Sequence, residues 1–402
     1  MMEAARATMT MEVPRGGIAE RMRLPYMDGW MLLAAVGLIV CSCVVLAEAT
    51  ADDVAGSPLF FVLRQISYGL VGLSLMLAIA RIDYSRFREL RVGLYSAMIA
   101  AISLVLVFGA AARGSRRWIE LPFFRFQPSE LAKVLLVVSL AAFVIERTRR
   151  GHDPKQTARL LMVGLAPAAL VFLQPDLGTA LVIGVITIAV LFLAGVPWRH
   201  FAAMGAVLAA FAGLVLVAAP AVGVPILQSY QQERITSFLN PSDDPSDSSY
   251  QLNQSRIAIG AGERTGRGEG ASQTELDFLP EHHTDFIFAV IGERYGFVGA
   301  AFILSLYALL VWRALRLLTL SKNLYGTLIA GGIAAMLMFQ VLVNVGMNLA
   351  IMPVTGITLP LMSYGGSSVL VTFMAIGLLQ SIHVQAQLSA RDRSGAPTPL
   401  LR

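Results

Sequence analysis

The sequence predicts an all-α integral membrane protein of about ten transmembrane helices, with a large extracytoplasmic loop between helices 7 and 8. Three observations predict it. First, 56% of the 402 residues are hydrophobic and only 14% are charged, with a mean hydropathy of +0.67. Soluble domains carry about 25% charged residues, and a water-soluble fold of this composition would expose too much apolar surface. Second, ten apolar runs approach the roughly 20 residues needed to cross about 30 Å of hydrocarbon. Third, placing the N-terminus inside puts 20 of the 31 Lys and Arg residues on the cytoplasmic side and 11 on the other, as the positive-inside rule requires.

The runs begin at Trp30, Ile66, Val92, Pro128, Leu160, Leu177, Phe201, Phe286, Tyr325 and Ser367. The first follows Arg21 and Arg23 and ends in a cleavage-like Ala47-Glu48-Ala49. It is longer than a signal-peptide core of roughly 7–15 residues, so it reads as a retained helix. Cys41 and Cys43 lie within it at i and i+2, which do not face each other, so neither a disulfide nor a metal pair is expected. The fifth run is short, Leu160 to Phe172, and contains Pro167; Gln174-Pro175-Asp176 forms the hinge to the sixth. The longest connection, residues 222–284, is rich in Ser, Asp, Gly, Asn and Gln, and loops of this length are functional or disordered. Residues 1–27 and 387–402 read as cytoplasmic tails around a membrane domain spanning 28–386.

Polar residues at membrane depth are functional hypotheses by default. Glu130 and Lys133 share one face of the fourth helix at i, i+3 and can pair. Asp176 sits at a tight turn and reads as a structural lock rather than a catalyst. Glu281-His282-His283-Thr284-Asp285 precedes the eighth span, with Glu293 and Arg294 two turns inside. Asn344 and Asn348 close the ninth, before a Pro- and Gly-rich segment ending Ser363-Tyr364-Gly365-Gly366-Ser367-Ser368. That last segment either offers backbone N–H groups to an anion or simply caps the tenth helix. A short outer loop carries Arg113, Arg116, Arg117 and Arg125 against the topology rule. It binds an anionic headgroup, or it pairs with Glu120 and Glu130. The glycines from Gly260 to Gly270 fit a dinucleotide loop poorly, since Thr265 stands where the third glycine belongs. The acids and histidines near Asp285 lack an i, i+4 histidine pair for a metal. No nucleic-acid motif is present.

Together these blocks resemble the SEDS family (shape, elongation, division and sporulation), the RodA and FtsW membrane enzymes of peptidoglycan synthesis, over Asp28 to Gln387. The matching blocks are Arg116-Arg117-Trp118-Ile119, Phe126 to Lys133, Gln174 to Thr179, Arg234 to Pro241, Leu279 to Phe288 and Ser363 to Ser368. Asn344 to Asn348, Pro353 to Gly356 and Gln380 to His383 lean toward the RodA branch. Gly262-Glu263-Arg264-Thr265-Gly266 departs from the family, which has a glycine pair and apolar residues there.

The resemblance implies a polymerase of lipid II, the disaccharide-peptide carried on undecaprenyl pyrophosphate, working in cell-wall elongation in the bacterial cytoplasmic membrane. The family's essential aspartate maps onto Asp285 and its lysine partner onto Lys133. Asp285 would be the general base, or a helix cap. Lys133 would support the ionised carboxylate or touch the pyrophosphate, or form an inert pair with Glu130. Arg116, Arg117 and Arg125 are candidate phosphate contacts, and Trp118 is a contact or an interfacial anchor. Gln127, Ser129, Glu130, Asp176, Glu281, His283 and Ser367 complete the expected substrate site. No cofactor is legible; a divalent cation, Mg²⁺ or Mn²⁺, is compatible with the pyrophosphate. A class B penicillin-binding protein is the expected transpeptidase partner, with cytoskeletal elongation machinery inside. The rival readings are a lipid II flippase, an FtsW-type division polymerase and a scaffold without activity.

Overall fold

The computed structural model describes residues 26–50, 57–108, 110–112, 115–120, 124–148, 154–213, 247–271, 279 and 282–394. Among these residues ten helices stand where the ten apolar runs were expected. They are α1 (Gly29–Ala49), α2 (Phe60–Ala80), α3 (Arg91–Phe108), α4 (Pro128–Thr148), α5 (Pro154–Phe172), α6 (Leu177–Leu193) and α7 (Trp198–Gly213). An additional helix, α8 (Asp247–Ala261), lies inside the long loop, followed by α9 (Ile287–Leu320), α10 (Leu324–Asn348) and α11 (Gly366–Ser394). Seven of them, α1 to α4 and α9 to α11, are long and apolar enough to cross a membrane by length and composition.

Several boundaries differ from the sequence reading, each for a local reason. The second helix starts at Phe60, not Ile66, and the fifth at Pro154, not Leu160. Pro is preorganised for the first helical position, so Pro154 opens a helix whose first turns are polar. Pro167 is carried inside the helix without ending it. The tenth-span helix continues through residues assigned to the C-terminal tail, as far as Ser394. Arg313, counted as a loop residue, lies inside α9. The outer arginine-rich loop is not helical: β1 (Ala110–Ala112), β2 (Ser115–Glu120) and β3 (Arg125–Phe126) form an antiparallel sheet in the order β1-β2-β3.

The bundle has an inside and an outside. α11 packs most extensively on α2, α9 on α10 and α1, and α10 on α6. In α11 and α4, 89% and 78% of the membrane window is buried, against 17% in α3. The inner helices α4, α10 and α11 carry many of the buried polar side chains, among them Glu130, Lys133, Asn344, Asn348 and Gln380, while α2 and α3 present apolar faces outward.

At 34 residues, α9 would be about 51 Å long, too long for one crossing. It is broken at Gly296 (φ 63°, ψ −159°). The break is held by the end of the long loop. Arg267 N donates to Glu293 O at 2.8 Å, Phe297 N to Glu263 O at 3.0 Å and Val298 N to Arg264 O at 3.1 Å. These bonds satisfy the backbone groups that the break releases. A Cβ on Gly296 would come within 2.4 Å of Gly266 N, and one on Gly266 (φ 85°) within 2.0 Å of Arg294 O. The departure at residues 262–266 is thereby explained: Glu263 and Arg264 contribute carbonyls while their side chains are exposed. α8 packs on α9, and Leu252, Ala258, Leu279, Phe286, Ala289 and Val354 form a small separate core there. The long loop is thus partly a folded cap over the start of α9.

Candidate active site

Four sequence blocks expected to carry chemistry meet at one end of the bundle. The N-terminus of α4 supplies the first. Pro128 opens the helix, and Glu130 lies in its first turn, where the dipole favours an acid. Lys133 Nζ lies 2.8 Å from both carboxylate oxygens of Glu130, and both residues are buried. The expected i, i+3 pair is therefore formed, and it is shielded from solvent.

The second block is the turn before α6. Asp176 is buried and caps that helix, its Oδ1 accepting from Thr179 N at 3.1 Å. Its Oδ2 accepts from Gln127 Nε2 at 2.9 Å and from Ser129 Oγ at 3.3 Å. Asp176 thus receives three donors on one carboxylate, which tie the start of α4 to the start of α6. Gln174 Nε2 donates to Ile102 O at 2.7 Å, tying the turn to α3. Arg117 adds a clamp, Nε donating to Gln174 O at 3.1 Å and Nη2 to Pro175 O. Gly178 lies under the 355 peptide, where a Cβ would meet Thr355 O at 2.7 Å.

The third and fourth blocks hold each other. His283 O accepts from Tyr364 N at 2.9 Å and Thr284 O from Ser363 Oγ at 2.6 Å. The carbonyl of Asp285 accepts from Asn344 Nδ2 at 2.9 Å and Asn348 Nδ2 at 3.1 Å. Asn348 Oδ1 in turn accepts from Ala289 N at 3.0 Å. The cap position of α9 is Phe286, so Asp285 stands one residue before the cap. Asp285 is half-buried, level with the last turn of α10. The His283 ring lies 5.0 Å from that of Phe61 and 6.0 Å from that of Tyr364. Ser367 Oγ donates to Arg125 O at 3.0 Å and accepts from Gln127 N at 3.0 Å, joining α11, β3 and α4.

The arginines divide. The guanidinium of Arg117 is committed to the turn carbonyls. Arg125 is exposed, 3.6 Å from an exposed Glu120; such a pair is worth little, so its charge is available to a ligand. Arg116 pairs through its backbone with Ala111, and Trp118, half-buried, with Ala110. Glu281 and Arg113 lie outside the described residues. Among the described residues no three His, Cys, Asp or Glu side chains gather.

The sequence reading missed Gln65 and Ser42. Gln65 on α2 is fully buried, its Nε2 donating to Ser42 Oγ at 2.9 Å and Ser363 O at 3.3 Å, while Ser42 donates to Met362 O at 2.6 Å. Gln65 lies just before the apolar run expected from Ile66, and becomes a residue within the span only because the helix begins at Phe60.

Known proteins resemble this chain over nearly its whole length. A family model described as cell cycle protein, covering FtsW, RodA and SpoVE, matches residues 25–388. Peptidoglycan glycosyltransferase MrdB of Escherichia coli K12 is 36% identical over 368 residues, covering 91% of this chain and 96% of that protein. Stage V sporulation protein E of Bacillus subtilis is 38% identical over 363 residues, covering 88% and 94%. Among solved structures, a chain from a peptidoglycan synthase complex that coordinates polymerization and crosslinking superposes with a TM-score of 0.73 at 34% identity, covering 90% of this chain and 98% of that one. Rod shape determining protein RodA of Thermus thermophilus gives 0.64 at 31%, covering 89% and 96%. Fold and whole-length similarity agree, and the chain belongs to the FtsW/RodA/SpoVE family.

Proposed function

We propose that this protein is a peptidoglycan glycosyltransferase that polymerises lipid II into glycan strands at the outer face of the cytoplasmic membrane. One observation carries the reading: Asp285, half-buried at the end of the helices, has its backbone carbonyl held by two buried asparagine amides. A positioned carboxylate at a membrane surface suits deprotonation of a sugar hydroxyl on a lipid-anchored acceptor. The acceptor 4-hydroxyl gives its proton to Asp285 as its oxygen bonds to C1 of the donor sugar. The C1–O bond to the pyrophosphate breaks, and its electron pair leaves with the undecaprenyl pyrophosphate. A single displacement on an α-linked donor gives a β-linkage.

Charge on the leaving group asks for cations. Arg125 is the favoured contact, because Arg117 is engaged with the Gln174-Pro175 turn. Lys133 is the proposed support for the site's carboxylate or the pyrophosphate, and its ion pair with Glu130 is the resting arrangement that substrate would reorganise. Ten crossings with both termini cytoplasmic, a role in elongation, and pairing with a class B penicillin-binding protein for cross-linking belong to the same reading. The similarity to a chain of a peptidoglycan synthase complex supports the last of these. A flippase would need its polar site near the bilayer midplane, whereas Asp285 stands at the helix ends.

The test is polymerisation of fluorescent lipid II by the purified protein, with and without the partner. Asp285→Ala is expected to lower the rate about 10²–10⁴-fold, the worth of a positioned base. Polymer made by the variant at the wild-type rate would end the general-base reading.

A further inference from the structure

The end of the bundle away from Asp285 holds a cavity of about 520 Å³ lined by Ser85, Arg88, Glu89, Arg91, Ile145, Asn323, Leu324 and Tyr325. It stands apart from the polymerase site. Ile145 lies 15 residues along α4 from Glu130, or about 22 Å, and Tyr325 sits at the opposite end of α10 from Asn344. Its volume falls within the range of small-ligand sites, about 300–1,000 Å³.

Its polar groups are unbalanced toward donors. Arg88 is half-buried, and among the described residues its guanidinium makes no hydrogen bond or ion pair. Arg91 places Nη2 2.8 Å from Glu146 and donates through Nη1 to Arg88 O at 3.3 Å, which leaves a buried Nε without an acceptor. Asn323 spends its side-chain oxygen on Gly326 N at 2.9 Å and Tyr84 OH at 3.1 Å, so its N–H pair is uncommitted. Tyr325 donates away from the cavity, to Val138 O at 3.2 Å. The only acid in the lining, Glu89, is exposed. A buried Arg91 Nε without an acceptor, beside the half-buried Arg88 guanidinium and the exposed Asn323 amide, calls for an anionic ligand rich in oxygen.

The flanks decide which anion. Leu324 lines the cavity and is 44% exposed, and Leu90 and Val92, on either side of Arg91, are 56% and 58% exposed. Apolar side chains beside a basic pocket between membrane helices match a lipid whose headgroup enters while its chains lie along the protein. We propose that this cavity binds the phosphate headgroup of one anionic phospholipid from the leaflet at this end of the bundle.

The test is native mass spectrometry of the full-length protein in detergent with added phosphatidylglycerol, and in parallel with inorganic phosphate alone. Wild type is expected to retain one phosphatidylglycerol per chain. Arg88→Ala and Arg88→Gln, which break no hydrogen bond, should each lower occupancy about tenfold, the loss of one charge-assisted contact. Arg86→Ala, exposed on the same turn but outside the cavity, should retain the lipid. Full retention by both Arg88 variants, or an equal loss in Arg86→Ala, would overturn the site. Arg88-dependent binding of inorganic phosphate without retained lipid would overturn the lipid as its ligand.

Discussion

At the scale of single residues, the site is built by side chains that hold backbone rather than substrate. Asn348 shows this most directly, with Nδ2 on Asp285 O and Oδ1 receiving Ala289 N. Asn348→Leu keeps the volume but removes one of the two donors on Asp285 O, which keeps Asn344, and one of the two acceptors of Ala289 N, which keeps Phe286 O, so the carbonyl beside the carboxylate is held less firmly. The expected result is a fall in kcat of about 10- to 100-fold with KM for lipid II little changed, because the residue orients the proposed base without touching the lipid. Polymerisation rates across a range of lipid II concentrations check it; an unchanged kcat, or an effect confined to KM, would remove Asn348 from the positioning role. The Glu130–Lys133 pair was legible in the sequence because helical geometry alone brings i and i+3 together. The engagement of Arg117 was not, because its partners lie 57 and 58 residues away and are backbone carbonyls with no sequence signature.

At the scale of elements, the break in α9 lets a long helix contribute both a crossing and a short platform behind Asp285. The platform depends on two close backbone approaches that tolerate no side chain. Gly266→Ala would face a left-handed backbone, costing about 1–2 kcal/mol for an L-residue. It would also meet Arg294 O at 2.0 Å. A loss of about 2 kcal/mol or more is expected, read as a lower unfolding midpoint of the purified protein, with glycan synthesis falling alongside. Glu263→Ala and Arg264→Ala should leave both readouts near wild type, since only their carbonyls are used. A stable, active Gly266→Ala protein would show that the clasp is not needed. The positions of the ten helices were legible because apolar runs mark membrane spans by composition. The small sheet was not. Its strands are three, six and two residues long, too short for alternation to register, and pairing across the arginine-rich loop is a tertiary fact.

At the scale of the whole molecule, the chain closes on itself at the end opposite Asp285. Asp28, before α1, accepts from Arg313 of α9, Nε to Oδ2 at 2.6 Å with Nη2 at 2.5 Å. Its backbone exchanges two hydrogen bonds with Gln380 of α11, at 2.8 and 3.0 Å. Three helices far apart in sequence are thus fixed by one residue. Nothing local announces this, since the partners are 285 and 352 positions distant. Asp28 and Arg313 are both buried, so removing either charge leaves the other unpaired in a dry setting, at a cost of about 3–5 kcal/mol, whereas removing both is often close to neutral. Asp28→Asn retains a side-chain oxygen to cap Trp30 and Met31, and Arg313→Met retains most of the volume. Each single variant should lower the unfolding midpoint, and the double variant should recover most of the loss, a non-additivity expected only of groups in direct contact. Tryptophan fluorescence during thermal unfolding measures all three. If the losses simply add, the pair does not hold the three helices together as a unit, and the tie must come from Gln380 and the apolar packing of α1 on α9.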